Sequence, residues 1–210
     1  MNGRAGLAFV AALVDVLVLA ACGNGEASEP PVYWDAPAFA LVDQTGDTVR
    51  SGDLEGTVWV ATFVFTNCAG VCPLITSRMA ALRDSLGVEG LLGDEVRLVS
   101  FSVDPARDTP EVLRSYAGRF GGSPPSRWAF LTGTPADSIH ALIQRGFKLT
   151  AVPMPPTGAD TVGGYQVNHS PRLVLVDRHG RVRGTYDATE PAAMDSLRRD
   201  LGSLLRGRRQ

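Results

Sequence analysis

Lysine and cysteine are both scarce in this chain of 210 residues. Lys148 is the only lysine, and arginine carries the rest of a positive charge that 22 acidic residues slightly exceed, for a formal net charge of −2. A balance of this kind excludes nucleic acid as an expected partner. Three cysteines are too few for a disulfide framework, and the close spacing of Cys68 and Cys72 is more typical of metal or redox chemistry.

A hydrophobic run long enough for a comfortable membrane span is also missing. The apolar stretch 7–21 follows Arg4, contains Asp15 and is too short. It ends in Leu19-Ala20-Ala21-Cys22, which resembles the lipobox of bacterial lipoproteins. Residues 1–22 are therefore interpreted as a lipoprotein signal peptide with Cys22 as the lipidated first mature residue. The alternatives are a plain secretory signal and an uncleaved anchor. In each case the mature protein is expected outside the cytoplasm, bound to a membrane on its periplasmic face.

The remainder divides into a tether, a domain and a tail. Residues 23–37 are small, polar and proline-containing, as in a flexible tether. Residues 38–206 have an ordinary globular composition, since the whole chain is 44% hydrophobic and 20% charged. Residues 207–210 form a basic tail.

Within the domain, hydrophobic periodicity alternates between strand and helix patterns. Strands are predicted at 39–42, 48–49, 58–65, 96–103, 128–131, 173–176 and 182–186, and helices from about 72 to 86, 110 to 120, 134 to 145 and 191 to 205. Residues 147–170 are expected to be a long irregular loop. This order predicts an α/β, thioredoxin-like fold: a mixed central sheet with helices on both faces and an N-terminal β-hairpin.

The two cysteines lie at the junction of a buried strand and a helix. Gly70 permits a sharp turn there, and Pro73 suits the first helical turn. The positive end of the helix dipole is expected to lower the pKa of Cys72 and favour its thiolate.

Four segments resemble the Sco/SenC family of copper-binding, thioredoxin-like proteins. They are Phe65-Thr-Asn-Cys-Ala-Gly-Val-Cys-Pro73, Ser102-Val-Asp-Pro-Ala-Arg-Asp-Thr-Pro110, Leu131-Thr-Gly-Thr134 and Val167-Asn-His-Ser170. The resemblance implies a copper site made by Cys68, Cys72 and His169. It also implies a role in assembling the binuclear copper centre of cytochrome c oxidase subunit II, with a separate copper donor. Another cuproprotein acceptor is an open alternative.

Coordination chemistry supports copper independently. Two soft thiolates and an imidazole suit Cu(I), and thiolate bonding to Cu(II) is also reasonable. Three ligands leave one side open, as metal transfer requires, whereas structural zinc favours a closed set of four.

A second hypothesis is a thiol–disulfide oxidoreductase. Thioredoxins carry two cysteines at the same strand-to-helix junction, and a Cys68–Cys72 disulfide is geometrically possible. Such a bond closes so short a loop that it adds little as a purely structural staple. Pro171 favours this alternative, because thioredoxins place a cis-proline opposite their cysteines.

A third hypothesis, peroxidase, is weak. Val71-Cys72-Pro73 is similar to the peroxiredoxin triplet, but Ala69 stands where that family has threonine.

Other candidate ligands have simpler interpretations. His140, on a helix, and His179, in a hairpin turn, are expected to be structural or solvated. Asp104 and Asp108 favour turn formation and capping over metal or partner contact. Met154 is expected to pack rather than to act as an auxiliary soft ligand.

Overall fold

A computed structural model describes residues 28–122, 124–154 and 166–207. The predicted signal peptide with lipobox Cys22, residues 23–27 of the predicted tether and residues 208–210 of the basic tail lie outside the described residues. Among the described helices, none combines the length and apolar character needed to cross a membrane.

A six-stranded mixed sheet organises the domain. Its strand order is β1-β10-β9-β4-β5-β6, with β4, β5 and β6 mutually parallel and β9, β10 and β1 joined antiparallel. The strands are β1 Trp34–Asp35, β4 Val58–Val64, β5 Val96–Ser102, β6 Trp128–Leu131, β9 Arg172–Val176 and β10 Arg181–Asp187. Every residue of β4 is buried, as expected for a strand covered on both faces.

In the described part of the chain, four α-helices accompany the sheet: α1 Val71–Val88, α2 Pro110–Arg119, α3 Ala136–Ala141 and α4 Pro191–Arg206. Helix α1 packs on β4 and β5, α2 on β6, and α4 on β10 and β4. The thioredoxin-like α/β prediction is confirmed. The core contains a cluster of aromatic rings in which Phe63 stacks on Phe101 at 5.6 Å and Phe147 contacts both.

The predicted N-terminal hairpin is present as β2 Ala40–Val42 and β3 Thr48–Arg50. A bridge from Val42 to Thr132 joins it to the end of β6. The Gln44 amide continues this connection, because its nitrogen donates to Trp128 O at 2.9 Å and its oxygen accepts from Phe130 N at 2.8 Å. The hairpin therefore covers the β6 edge.

Three predictions need correction. Strand β1 lies inside the predicted tether, where Trp34 pairs with Val182 of β10. The third helix begins at Ala136, because Pro135 is extended, and it continues as a π-helical turn, Leu142–Gly146. The segment predicted as irregular contains β7 Ala151–Met154 and β8 Gln166–His169, which pair antiparallel. The glycine- and proline-rich composition of this segment predicted irregular structure, but a separate two-stranded sheet tolerates Pro153.

Candidate metal centre

The cysteines lie at the junction between the end of β4 and the start of α1, as predicted. Cys68 is half-buried in the connection, and Cys72 is fully buried in the first turn of α1. Both are thiols, with no disulfide between them. Gly70 is the N-cap residue, and a Cβ built on it would lie 3.9 Å from the Cys68 sulfur. Both sulfurs therefore belong to the leading end of the helix.

The protonation of this pair differs from the prediction. The pKa of Cys72 is raised, chiefly by its hydrogen bond with Cys68 and then by burial, although a backbone hydrogen bond with Phe65 acts in the opposite direction. The expected lowering by the helix dipole is wrong for Cys72 in the metal-free chain, because a second thiol and desolvation outweigh it. A metal must therefore displace the proton of Cys72 to bind its sulfur.

A buried carboxylate holds the cysteine loop, which we define as residues 65–70, through hydrogen bonds with Thr66. Asp108 is fully buried and accepts hydrogen bonds from Thr66 Oγ1 and Ser102 Oγ, each at 2.6 Å. The Thr66 amide also donates to it at 3.3 Å. Burial raises the pKa of Asp108, while the hydrogen bonds from Ser102 and Thr66 oppose that rise. This carboxylate connects the start of the cysteine loop to the end of β5.

Asp104 shapes the neighbouring turn. Its backbone amide donates a hydrogen bond to Ser102 Oγ at 3.0 Å, and its carboxylate forms an ion pair with Arg107 at 2.9 Å. Its carbonyl accepts from Asp108 N at 3.0 Å. The turn-forming interpretation of Asp104 and Asp108 is supported, and Asp108 has the additional role of bracing the loop.

A second link fixes the helical side of the site. Thr76 Oγ1 donates to Cys72 O at 2.8 Å and lies 2.7 Å from the Tyr116 hydroxyl on α2. Burial raises the pKa of Tyr116 to about 12. Beside this link is an open cavity of about 400 Å³ lined by Thr66, Glu111, Val112, Ser115, Tyr116 and Arg119. An open surface therefore lies beside Thr66, two residues before Cys68, although neither cysteine lines it.

His169 is the last residue of β8, and its backbone pairs with Ala151 of β7. We call the β7–β8 pair the histidine arm. Strand β9 begins just after it and runs antiparallel to β4, with Ala61 opposite Val174. The start of β9 therefore lies at the same end of the sheet as the cysteine loop. Topology brings His169 to this end, but its side chain lies outside what the structure describes.

Within the described residues, no three His, Cys, Asp or Glu side chains already form a metal-holding cluster. His140 is buried, and its Nε2 lies 2.9 Å from the Val103 carbonyl oxygen. His179 lies in the exposed β9–β10 turn. Both agree with their predicted structural or solvated roles. The side chain of Met154 is outside the description, so its role stays a prediction.

Pro171 lies between the histidine arm and β9, and its carbonyl accepts a hydrogen bond from Ala188 N at 2.8 Å. The cis X–Pro bond in the described part of the chain is Thr134–Pro135, not Ser170–Pro171. The expected cis-proline opposite the cysteines is not present at Pro171.

The sequence interpretation missed Thr66, Ser102, Thr76 and Tyr116. The first two lie inside the quoted motifs, but nothing in the sequence showed that one carboxylate joins them. Thr76 follows Cys72 by one helical turn, which was a usable signal for a hydrogen bond to the Cys72 carbonyl.

Comparisons with known proteins find relatives that align with most of the chain. The SCO1 protein homolog of Bacillus subtilis is 35% identical over 187 residues, covering 89% of this chain and 91% of that protein. A crystal structure of a SCO1/SenC family lipoprotein from Bacillus anthracis is 34% identical, with a TM-score of 0.73 over 85% of this chain and 99% of that chain.

Two further solved structures bear on chemistry. BsSco, described as a member of the Sco family of cytochrome c oxidase assembly proteins and as having a disulfide switch, is 31% identical, with a TM-score of 0.68 over 85% of this chain and 96% of its own. Bradyrhizobium japonicum ScoI, solved with copper bound, is 26% identical, with a TM-score of 0.63 over 79% of this chain and 98% of its own. Residues 33–205 match the SCO1/SenC family profile, and the chain belongs to that family.

Proposed function

We propose that this protein is a copper metallochaperone that binds one copper ion through Cys68, Cys72 and His169 and delivers it to the binuclear copper site of cytochrome c oxidase. The observation that carries the proposal is the pair of reduced sulfurs at the start of α1, at the same sheet end where the histidine arm leads into β9. Copper-bound ScoI and the description of BsSco support it by family relationship.

The chemistry of the pair suits a carrier. The raised pKa of Cys72 keeps this thiol protonated when metal-free, so loading releases its proton and unloading returns it. This return favours release to an acceptor. With three ligands from one side, acceptor ligands can bind before the last donor ligand leaves. The cavity lined in part by Thr66 and Tyr116 offers space beside the cysteine loop for that approach.

Titration of the reduced protein with Cu(I) tests the ligand set. Cys72→Ser and His169→Ala should each weaken binding more than the 10–100-fold typical of residues that only support ligands. His179→Ala is the matched control, because it removes an exposed imidazole from a hairpin turn. Parent-like affinity in either ligand variant contradicts the assignment.

A transfer experiment tests the acceptor. Copper-loaded protein mixed with the copper-free soluble domain of oxidase subunit II should generate the binuclear centre's absorption, and His179→Ala should behave like the parent. A protein that reduces insulin disulfides rapidly and has no measurable copper affinity would instead support the oxidoreductase alternative.

We also propose that Cys22 is lipidated, which places the domain outside the cytoplasm on a membrane. The apolar run before Cys22 and the lipoprotein relative from Bacillus anthracis support this. Intact-mass analysis of the membrane-extracted protein should show a diacyl modification that Cys22→Ser abolishes. An unmodified parent mass contradicts the proposal.

A further inference from the structure

The described chain enters the domain at a fixed point. Arg183, with only 6% of its side chain exposed, donates through Nε to Pro30 O at 2.8 Å and through Nη2 to the Glu29 carboxylate at 2.9 Å. Its Nη1 bonds Asp177 at 2.8 Å. The following residues are also held, since Tyr33 N donates to Val182 O at 2.9 Å. These hydrogen bonds therefore fix the point at which the chain enters the domain.

This point lies at the end of the sheet opposite the cysteine loop. Asp177 follows β9, whose last residue Val176 pairs with Trp59 near the start of β4. The cysteines follow the end of β4, and seven strand residues separate the two ends by about 20 Å. We call the region around Arg183 the anchor end.

The C-terminal tail leaves the domain at the same place. Arg178, in the β9–β10 turn, donates to Leu204 O at 2.8 Å near the end of α4. Gly207 lies against the Glu29 carboxylate. Arg206 is exposed, and Arg208 and Arg209 follow in the sequence. The last described residue, Gly207, and Glu29, near the start of the described chain, therefore lie at the same end of the domain.

Charge at the anchor end is distributed unevenly. A cavity of about 250 Å³ there is lined by Glu29, Asp177, Arg178, His179, Arg181, Arg183, Leu204 and Gly207. Its carboxylates pair with Arg181 and Arg183, and Arg178 pairs with Glu95. The neighbouring cavity beside β1 carries the acidic residues Asp35 and Glu55 instead. Beyond these pairs, Arg206 is exposed at the end of α4, and Arg208 and Arg209 follow it in the sequence.

We propose that the anchor end rests on the membrane, with the arginines of the tail against anionic lipid headgroups and the cysteine loop directed away from the bilayer. The inference rests on the lipidation of Cys22 proposed above. Residues 23–28 separate Cys22 from Glu29, and the chain between these two residues spans at most about 25 Å. Lipid anchors commonly need a basic patch as a second signal, and each arginine near an anionic surface contributes about a fivefold change in partitioning.

Quenching of a fluorophore by nitroxide-labelled lipid headgroups tests the orientation in the full lipidated protein. A fluorescent non-natural residue replaces Val88 or Ala192 in turn, which leaves the cysteines intact. Val88 is 90% exposed at the C-terminal end of α1, near the anchor end, and Ala192 is exposed at the start of α4, near the cysteine end. In vesicles of phosphatidylcholine and phosphatidylglycerol, quenching at Val88 should exceed that at Ala192 severalfold.

The contribution of the tail is measured with a matched pair of variants. Arg208→Gln with Arg209→Gln should reduce the difference between the two label sites, as should vesicles of phosphatidylcholine alone. Arg198→Gln with Arg199→Gln removes the same charge from the body of α4 and should leave the difference unchanged.

Equal quenching at both sites, or stronger quenching at Ala192, overturns the orientation. A difference that the tail variants and lipid charge do not change overturns the headgroup contact. An intact mass without lipid removes the basis of this inference, while the Cu(I) titration of the proposed ligands remains a separate result.

Discussion

The cysteine loop and the histidine arm carry the proposed ligands in different structural settings. The loop continues a wholly buried strand, enters α1 and is braced by Asp108 and Thr76. The arm is a two-stranded sheet separate from the six-stranded one. Isolated strand pairs are marginally stable on their own. Under the proposed ligand set, the two sulfurs would form a preset pair, and the His169 imidazole would complete the site when metal binds.

Hydrogen exchange gives the largest expected contrast between the two regions. Amides of β4 should exchange only through global unfolding, while those of β7 and β8 should exchange orders of magnitude faster through local opening. Cu(I) should slow exchange in the arm and leave β4 unchanged. Equal protection in the metal-free protein contradicts the comparison.

Removing the loop's brace should cost stability as well as metal affinity. Asp108→Ala leaves the buried Thr66 and Ser102 donors without their carboxylate, so the free energy of unfolding should fall by about 3 kcal/mol in urea denaturation. Copper affinity should fall about 10–100-fold, as for a residue that positions ligands.

The control is Asp84→Ala, which removes a surface carboxylate paired with the adjacent Arg83 and should change stability by less than about 1 kcal/mol. Unchanged copper affinity in a folded Asp108→Ala protein would show that the brace does not position the cysteines.

Tyr116 adds a dependence on alkaline pH. Its pKa is raised to about 12 in the folded protein, so its neutral form favours folding below pH 10, and that contribution is lost as pH rises toward 12. The loss should reach about 2 kcal/mol. Tyr116→Phe should flatten this part of the stability profile and leave the profile near pH 7 similar in shape. An unchanged alkaline slope contradicts the assignment.

Thr76→Val should have the smallest effect. It keeps the shape of the side chain but removes the hydrogen bonds to Cys72 O and the Tyr116 hydroxyl, which should cost about 1–2 kcal/mol of unfolding free energy. Ser115→Ala, an exposed hydroxyl bonded to the preceding turn of α2, should change stability by less than about 0.5 kcal/mol. Equal losses of unfolding free energy in the two variants would mean that the hydrogen bond between Thr76 and Tyr116 does not stabilise the fold more than a surface hydrogen bond does.

The sequence predicted the elements whose signals are local. The β4 run, the Pro110 helix start and the hairpin around Gly46 each carry their own periodicity or turn residues. Strand β1 has only two residues and depends on β10, so no periodicity could mark it. The histidine arm was missed because its segment is rich in glycine and proline, and its strands are stabilised by pairing rather than by propensity.

The candidate site divides in the same way. The sequence pattern around Cys68 and Cys72 predicted that both cysteines lie at a strand-to-helix junction, and the structure places them at that junction. The pKa of Cys72 does not follow from it, because the opposing effects of Cys68 and of burial depend on three-dimensional packing. His169 came from family resemblance, and the described backbone supplies its place in the topology only.

The hydrogen bond from Thr66 to Asp108 crosses 42 positions of sequence and joins the segment before Cys68 to the turn before α2. The two most specific motifs are thus halves of a single physical unit. Grafting the cysteine segment alone onto another thioredoxin-like scaffold would transplant the sulfurs without the carboxylate beneath them. A designer who wants this pair in a new protein must move both strand ends together.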